Sequence, residues 1–497
     1  MGGAYSYFTE PGPYSHKYVM SLEAPVRRRK RVLIVAFACH PDENMETRIG
    51  WKRALAASKN YDTTVLHSAD FDSESLARLA ADQGADLNCL RFIAIDSIGF
   101  SGSKFSDLMY WAGYRSWQRR AFQCASEMQR RNGFDLVHLV SYCGYREPGY
   151  WWRLGIPFIW GPVGGTQNFP SRFVTQVAFL SGLRELARNV LNTWQLRLSP
   201  RVKLSARHAA TVFAASSTAQ RDLRRATGVH CPRLLETAIG LPGGVPRHDG
   251  PKDTASRVPD TDRPFRLLWA GRLREWKALP LLLKALAQLP PGVNYELRVL
   301  GVGASEKRWR RMAERLGVAD KTRWVGWGAY EDTLLQYEWA DAFVFTSLRD
   351  TSGTGLLESL AAGTPIIGVD HQGAADIMTP ECGIAIPVEM PSATIRGFRD
   401  AILRLAGDRA TWKRLSDGAR RRASDYTWDR LSEKIEVAYR AAFSGRELTD
   451  EQAGEQSVDA ASRTATVGQA TGGQASAGHA VGGPAAPRKP STAATGP

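Results

Sequence analysis

Short apolar runs recur along the chain and alternate with longer stretches of helical periodicity. The first run, RVLIVAF, begins at Arg31 and is apolar at successive positions rather than alternate ones. That pattern suits a strand buried on both faces of a parallel sheet. TTVLHS, FIAID, DLVHLVS, PFIWG and ATVFAAS repeat it. Between them, WKRALAASK, residues 104–132 and a long region at about 173–207 read as helices. Strands alternating with helices predict a doubly wound α/β domain.

The pattern then breaks and restarts. Residues 242–264 are rich in Pro, Gly and Asp, which marks a linker. Beyond it, the strand-like runs FRLLWAG, YELRVLG, TRWVGW, DAFVFTS and TPIIGVD alternate with the helical LPLLLKALAQL, KRWRRMAERLG, EDTLLQYEWA and GLLESLAAG. A second α/β domain is expected, closed by helices over about 393–444. After residue 446 the chain turns to Ala, Gly, Ser, Thr and Gln, which cannot bury enough surface to offset the entropy of ordering. The expected organisation is a disordered basic N-terminus (1–30), a first Rossmann-like domain (31–245), a linker (246–264), a second Rossmann-like domain (265–428), a helix crossing back to the first (429–445) and a disordered tail (446–497).

Composition adds little to the fold but narrows the partners. At 497 residues, 43% hydrophobic and 23% charged, the chain can hold two sizeable cores. Its formal net charge of +15 favours anionic partners such as nucleotides, acidic polymers or acidic lipid surfaces, and equally allows a merely solvated basic surface. Six scattered cysteines show no metal-ligand spacing and suit a reducing compartment. No apolar run is long enough to span a bilayer, and the first residues lack the apolar core of a secretory signal. A cytoplasmic location is expected.

The chemistry concentrates in SLRDTSGTGLLESLA, residues 347–361. Asp350 follows a predicted strand, where ligands of open α/β sheets bind. Gly353 and Gly355 permit close backbone approach, and the helix that follows aims free N–H groups at an anion. Glu358 falls in the expected first turn of that helix, where an acid also serves simply to stabilise the helix. GRLREWK places Arg272 and Lys277 at another strand's carboxyl end, a clamp for a diphosphate or a pair of ordinary surface cations.

Together these motifs resemble the retaining glycosyltransferases of family 4, which have the GT-B fold. The GR-plus-Lys motif, the two acids Asp350 and Glu358, and ESLAAGTPIIGVDHQGAADIM follow that family's order. The resemblance covers roughly residues 31–444 and is strongest over 265–388. It implies two Rossmann-like domains facing across a cleft, with the donor on the second and the acceptor on the first. Arg272 and Lys277 would bind the donor diphosphate together with the amides of Gly353, Thr354 and Gly355. Glu358 would take the ribose hydroxyls, and Asp350 would hold sugar hydroxyls and support developing charge. This chain departs from the family in having Asp rather than Glu at 350 and Ala278 where a Gly often follows the Lys.

The first domain offers less. WGPVGGT contains Gly164 and Gly165, a site for a tight turn or a ligand, and YREPGYWW contains Arg146. Both resemble signatures of a subset of these enzymes. CHPDENMETRIGW resembles their first-strand loop without its glycine pair, making Glu46, Arg48 and Gly50 candidates near the acceptor. His138 is the histidine of the DLVH strand. The family's functional histidine often lies two positions later, where Val140 stands, so both a catalytic and a core role for His138 are open. The resemblance implies no metal and no cofactor beyond the nucleotide-sugar donor. It implies transfer of a hexose to a glycan or lipid-linked acceptor, in polysaccharide or glycolipid biosynthesis. Cations scattered through 173–207 allow peripheral contact with an anionic membrane at its inner face, or an ordinary helix with its charges outward. A nucleotide-sugar hydrolase or epimerase, or a non-catalytic binder of anionic polymers, is the alternative. Nucleic acid, for which there is no motif, ranks last.

Overall fold

The computed structural model describes residues 28–41, 45–96, 107–131, 133–142, 144–240 and 263–449. Most of the expected linker and most of both expected disordered ends lie outside these residues.

The first lobe runs β1 (Arg31–Val35), α1 (Met45–Ser58), β2 (Asp62–Ser68), α2 (Ser73–Asp82), β3 (Leu90–Ile95), α3 (Asp107–Arg131), β4 (Leu136–Leu139), β5 (Phe158–Val163), α4 (Phe179–Leu198), α5 (Pro200–His208), β6 (Thr211–Ala214) and α6 (Ser217–Thr227). The second runs β7 (Phe265–Ala270), α7 (Leu279–Leu286), β8 (Tyr295–Leu300), α8 (Glu306–Arg315), β9 (Thr322–Gly326), α9 (Tyr330–Trp339), β10 (Ala342–Phe345), α10 (Thr354–Ala362), β11 (Ile366–Asp370), α11 (Gln372–Ile377), β12 (Gly383–Pro387), α12 (Pro391–Gly407), α13 (Arg409–Ala423) and α14 (Trp428–Phe443).

Each lobe has a six-stranded sheet, in the orders β3-β2-β1-β4-β5-β6 and β12-β11-β10-β7-β8-β9, with every strand pair parallel. In both sheets the order reverses beside the lobe's first strand, which opens a crevice at the carboxyl ends. The central strands are buried along their length, as their unbroken apolar runs require.

The region read as one helix at 173–207 is three pieces. A 3₁₀ turn spans Ser171–Gln176, and Ser199–Pro200 separates α4 from α5. Pro200 cannot donate a helical hydrogen bond, but it fits the first position of a new helix, which Ser199 caps. After the second sheet the chain returns to the first lobe. α14 buries Leu431, Ile435, Ala438, Tyr439 and Ala442 in the core formed by β1, β2, β4 and α1. Leu448, inside the expected tail, is buried in the same cluster.

The lobes also touch directly. Arg349 holds Glu185 of α4 through two contacts of 3.0 and 3.1 Å. Asp376 of α11 accepts from the Ser217 backbone N–H at 2.7 Å and lies 3.4 Å from Arg233. Ser352 donates to Glu236 at 2.6 Å.

Candidate functional site

The second lobe positions its candidates from the carboxyl ends of β7 and β10. Trp269 of β7 donates to Thr346 (2.8 Å), and Thr346 donates to the Lys277 carbonyl (2.6 Å). The segment carrying Lys277 is thereby tied to the end of β10. Lys277 forms an ion pair with Asp350, both groups being about one-fifth exposed. The Asp350 backbone N–H donates to Gln372 Oε1 at 2.9 Å, and the Asp350 carboxylate accepts from the Thr351 N–H at 3.1 Å. Arg272 follows the end of β7 and is exposed.

The turn between Asp350 and α10 needs its glycines. Gly353 has φ +65° and occupies the position before the helix, which no side chain caps. A side chain at Gly355 would stand 2.8 Å from the Tyr337 hydroxyl and 3.0 Å from Phe343. The uncapped first-turn amides of α10 therefore point past a small-residue surface, an arrangement suited to phosphate oxygens.

Glu358 sits in the second turn of α10, not the first, so it plays no part in stabilising the helix start. It is buried, and burial raises its carboxyl above the usual range. Hydrogen bonds from Tyr337 and Tyr330 of α9 and the charge of Arg48 act in the opposite direction. Burial in turn pushes the Tyr330 hydroxyl up to about 12.

The first lobe meets this site through α1 and the loop after β5. Arg48 stacks on the Tyr330 ring at 4.6 Å and donates to the Pro41 carbonyl at 3.0 Å. Glu46 remains accessible to water in the cleft. Its enclosure by surrounding protein raises its carboxyl, and Arg272 opposes that shift. Both residues thus face the second lobe's candidates. Gly50 lies deeper: a Cβ there would be 2.4 Å from the Ala38 carbonyl, so its smallness lets α1 pack on the end of β1. Gly164 abuts Thr351, whose side chain a Cβ would meet at 2.5 Å. Gly165 has φ +79° and turns the chain beside Gly144. From the same loop, Gln167 accepts from Thr351 at 3.3 Å and the Asn168 carbonyl accepts from Gln372 at 2.7 Å.

Two candidates lie elsewhere. His138 is fully buried, its Nδ1 bonded to the Tyr439 hydroxyl (2.8 Å) and its Nε2 to the Gly161 carbonyl (2.9 Å). Burial lowers its pKa to about 3, so it stays neutral. With both ring nitrogens occupied, His138 joins the return helix to the sheet and has no atom left for a reacting group. Arg146 bonds to Asn192 and Gln195 of α4 at 2.7 and 2.8 Å, which anchors the REP segment to that helix.

Sequence reading missed Tyr330, Tyr337, Gln372 and Thr351. The tyrosines did carry a signal, since a spacing of seven on a helix puts both on the face turned toward Glu358. Gln372 had none: it depends on a backbone φ of +53° that aims its amide between Asp350 and Asn168. Among the described residues, no group of three His, Cys, Asp or Glu side chains could hold a metal ion.

Comparison with known proteins places this geometry. Residues 252–422 match the family model described as Glycosyl transferases group 1. A D-inositol 3-phosphate glycosyltransferase of Streptomyces bingchenggensis is 29% identical over 189 residues, covering 36% of this chain and 41% of that protein. The lipopolysaccharide core biosynthesis glycosyltransferase LpsE of Rhizobium meliloti is 32% identical over 148 residues, covering 30% of this chain and 41% of its own length. The chain thus spans about two-fifths of the length of these relatives. Among solved structures, the sucrose-phosphate synthase of Thermosynechococcus elongatus superposes with a TM-score of 0.59 at 17% identity, over 84% of this chain and all of its own. Anabaena HepE, solved in complex with UDP and glucose, gives 0.52 at 15% identity, over 83% of this chain and all of its own. Residues 252–422 are thus similar to the glycosyl transferases group 1 family, in a chain with the two-sheet GT-B fold.

Proposed function

We propose that the protein is a retaining glycosyltransferase of family 4. It would move a hexose from a nucleotide-diphosphate sugar to a glycan or lipid-linked acceptor in polysaccharide or glycolipid assembly. One observation carries the reading. Arg272, Lys277, Asp350, the Gly353–Gly355 turn and Glu358 converge at the carboxyl ends of β7 and β10, inside the segment that matches the family.

In this reading the donor diphosphate lies against the first-turn amides of α10, and Arg272 and Lys277 neutralise it. The ammonium of Lys277 is then shared between the diphosphate and Asp350. That leaves Asp350 free to accept from sugar hydroxyls and to oppose the positive charge that develops as the glycosidic bond to the leaving phosphate breaks. Glu358 accepts from the ribose hydroxyls, its carboxylate steadied by Tyr337 and Tyr330. Glu46 and Arg48 close the cleft from the acceptor side. The departing diphosphate takes the acceptor proton, so no side-chain base is required. The two cations and the helix terminus supply the charge that a metal ion would otherwise bring.

Thermal stabilisation against a panel of nucleoside diphosphates and nucleotide-sugars, with chelator present, identifies the donor by mass action. Lys277→Ala and Glu358→Ala should each lower kcat/KM at least tenfold, roughly 1.4 kcal/mol. Unchanged turnover in both would remove the assignment. The anomeric configuration of the product, read by NMR, tests retention.

A further inference from the structure

α4 is turned inside out for a helix in water. The face it turns toward the protein is polar apart from Gly182 and Leu196. Glu185 pairs with Arg349, Arg188 donates to the Gln167 carbonyl at 2.9 Å, Asn189 donates to the Phe169 carbonyl at 2.7 Å, and Asn192 donates to the Thr166 carbonyl at 2.7 Å. The face it turns outward is apolar. Leu180, Leu183, Val190, Leu191, Trp194 and Leu198 are all exposed, Val190 by 72% and Trp194 by 62%. Positions three and four apart fall on one side of a helix, so these six side chains form a continuous stripe along a helix about 30 Å long. Scattered exposed apolar residues need no explanation, but a contiguous stripe does.

The charges around the stripe are of one sign. Exposed Arg184 borders it on one side and exposed Arg197 on the other. Lys203 and the exposed Arg207 continue the positive charge along α5, where Leu204 is also exposed. The single acid between residues 179 and 208 is Glu185, which is buried and paired. A protein partner could cover such a face with apolar side chains alone. A straight apolar stripe edged by cations, with no acid among them, instead complements a bilayer whose headgroups are anionic. The apolar side chains enter the acyl boundary while the arginines reach up to phosphate. Residues 450–497 contain no Leu, Ile, Met, Phe, Trp or Tyr and only three Val, a poor apolar complement for the stripe.

We propose that α4 is a membrane-docking helix that lies in the headgroup region of an anionic bilayer. Its inner face holds residues 166–169 in the loop that meets Thr351 and Gln372, so docking brings the lipid surface over that loop. If the acceptor of the proposed transfer is lipid-linked, it would be presented there. This last step rests on the proposed function, whereas the docking itself does not.

The test is flotation of the full chain with vesicles of phosphatidylcholine mixed with phosphatidylglycerol, against phosphatidylcholine alone, in the absence of any donor. The wild type should bind the anionic vesicles, and binding should fall as salt is raised. The exposed-face variant Leu183→Glu with Trp194→Glu should lose at least tenfold in vesicle affinity. Arg184→Glu with Arg197→Glu should lose about fivefold for each cation removed. Circular dichroism melting would show that both variants remain folded. Failure of the wild type to float with anionic vesicles at low salt overturns the proposal. So does binding that survives the α4 variants but is lost on removing residues 1–27. A wild-type dimer that the Leu183→Glu/Trp194→Glu variant converts to monomer, with no vesicle binding by either, overturns it in favour of a second copy of the chain.

Discussion

Glu358 is held at a cost that its neighbours only partly offset. Burial raises its carboxyl, while Tyr337, Tyr330 and Arg48 pull it back. Because the native state then binds its proton more tightly than the unfolded chain does, stability falls as pH rises from the ordinary carboxylate range through the raised value. Glu358→Gln removes that penalty. The variant should melt higher than the wild type at neutral pH, lose the advantage once the pH drops below the ordinary carboxylate range, and bind the donor more weakly. Melting curves at acid and neutral pH, with and without nucleotide, check all three. A variant that melted lower at neutral pH would show that the tyrosine hydrogen bonds outweigh burial. Arg272, Lys277 and Asp350 lie just past the strand ends where their motifs put them, whereas Glu358, expected in the first turn of α10, lies in the second. His138 stayed open between a catalytic and a core role for a different reason. A strand histidine that faces a core and one that faces a cleft look alike until the partner of the ring is known, and here the partner, Tyr439, comes from the far end of the chain.

At the scale of elements, α4 joins the lobes through Arg349 and Glu185 and positions the loop after β5 through its asparagines. Glu185→Ala would leave Arg349 facing Arg188, whose own pKa is already pressed down to about 10 by burial and by Arg349. The variant should lose about 2 kcal/mol or more of stability, measured by denaturant unfolding, with Glu185→Gln losing less. Most strands could be read from their apolar runs. β12 was missed because it is a short edge strand, GIAIP, only partly buried and bounded by Gly and Pro. α2, SESLARLAAD, was missed although half of it is Leu or Ala: it is a short helix with only Leu76 and Ala80 fully buried. The break in the long helical region was marked by Pro200. The inverted polarity of α4 was not legible, because periodicity identifies an apolar face without saying which way it points.

For the whole molecule, the return of α14 is the decisive connection. The fold class followed from the alternation of strands and helices, but the surface that the last helix would cover is a property of the assembled first sheet and not of any local stretch. A chain ending at residue 427 lacks Leu431, Ile435 and Tyr439, each worth about 1.5–3 kcal/mol when buried. It also leaves His138 Nδ1 and apolar side chains of β1 and β4 uncovered. It should be insoluble or bind hydrophobic dye, whereas a chain ending at residue 449 should melt as the full protein does. Circular dichroism and dye fluorescence of the two truncations distinguish these outcomes. The same connection bears on how the protein is made. Synthesis runs from the first lobe to the last helix, so the sheet that forms earliest on the ribosome is the one completed last. Until Tyr439 emerges, its groove stays open to chaperones, and any chain cut short upstream carries that open groove as a mark of incompleteness.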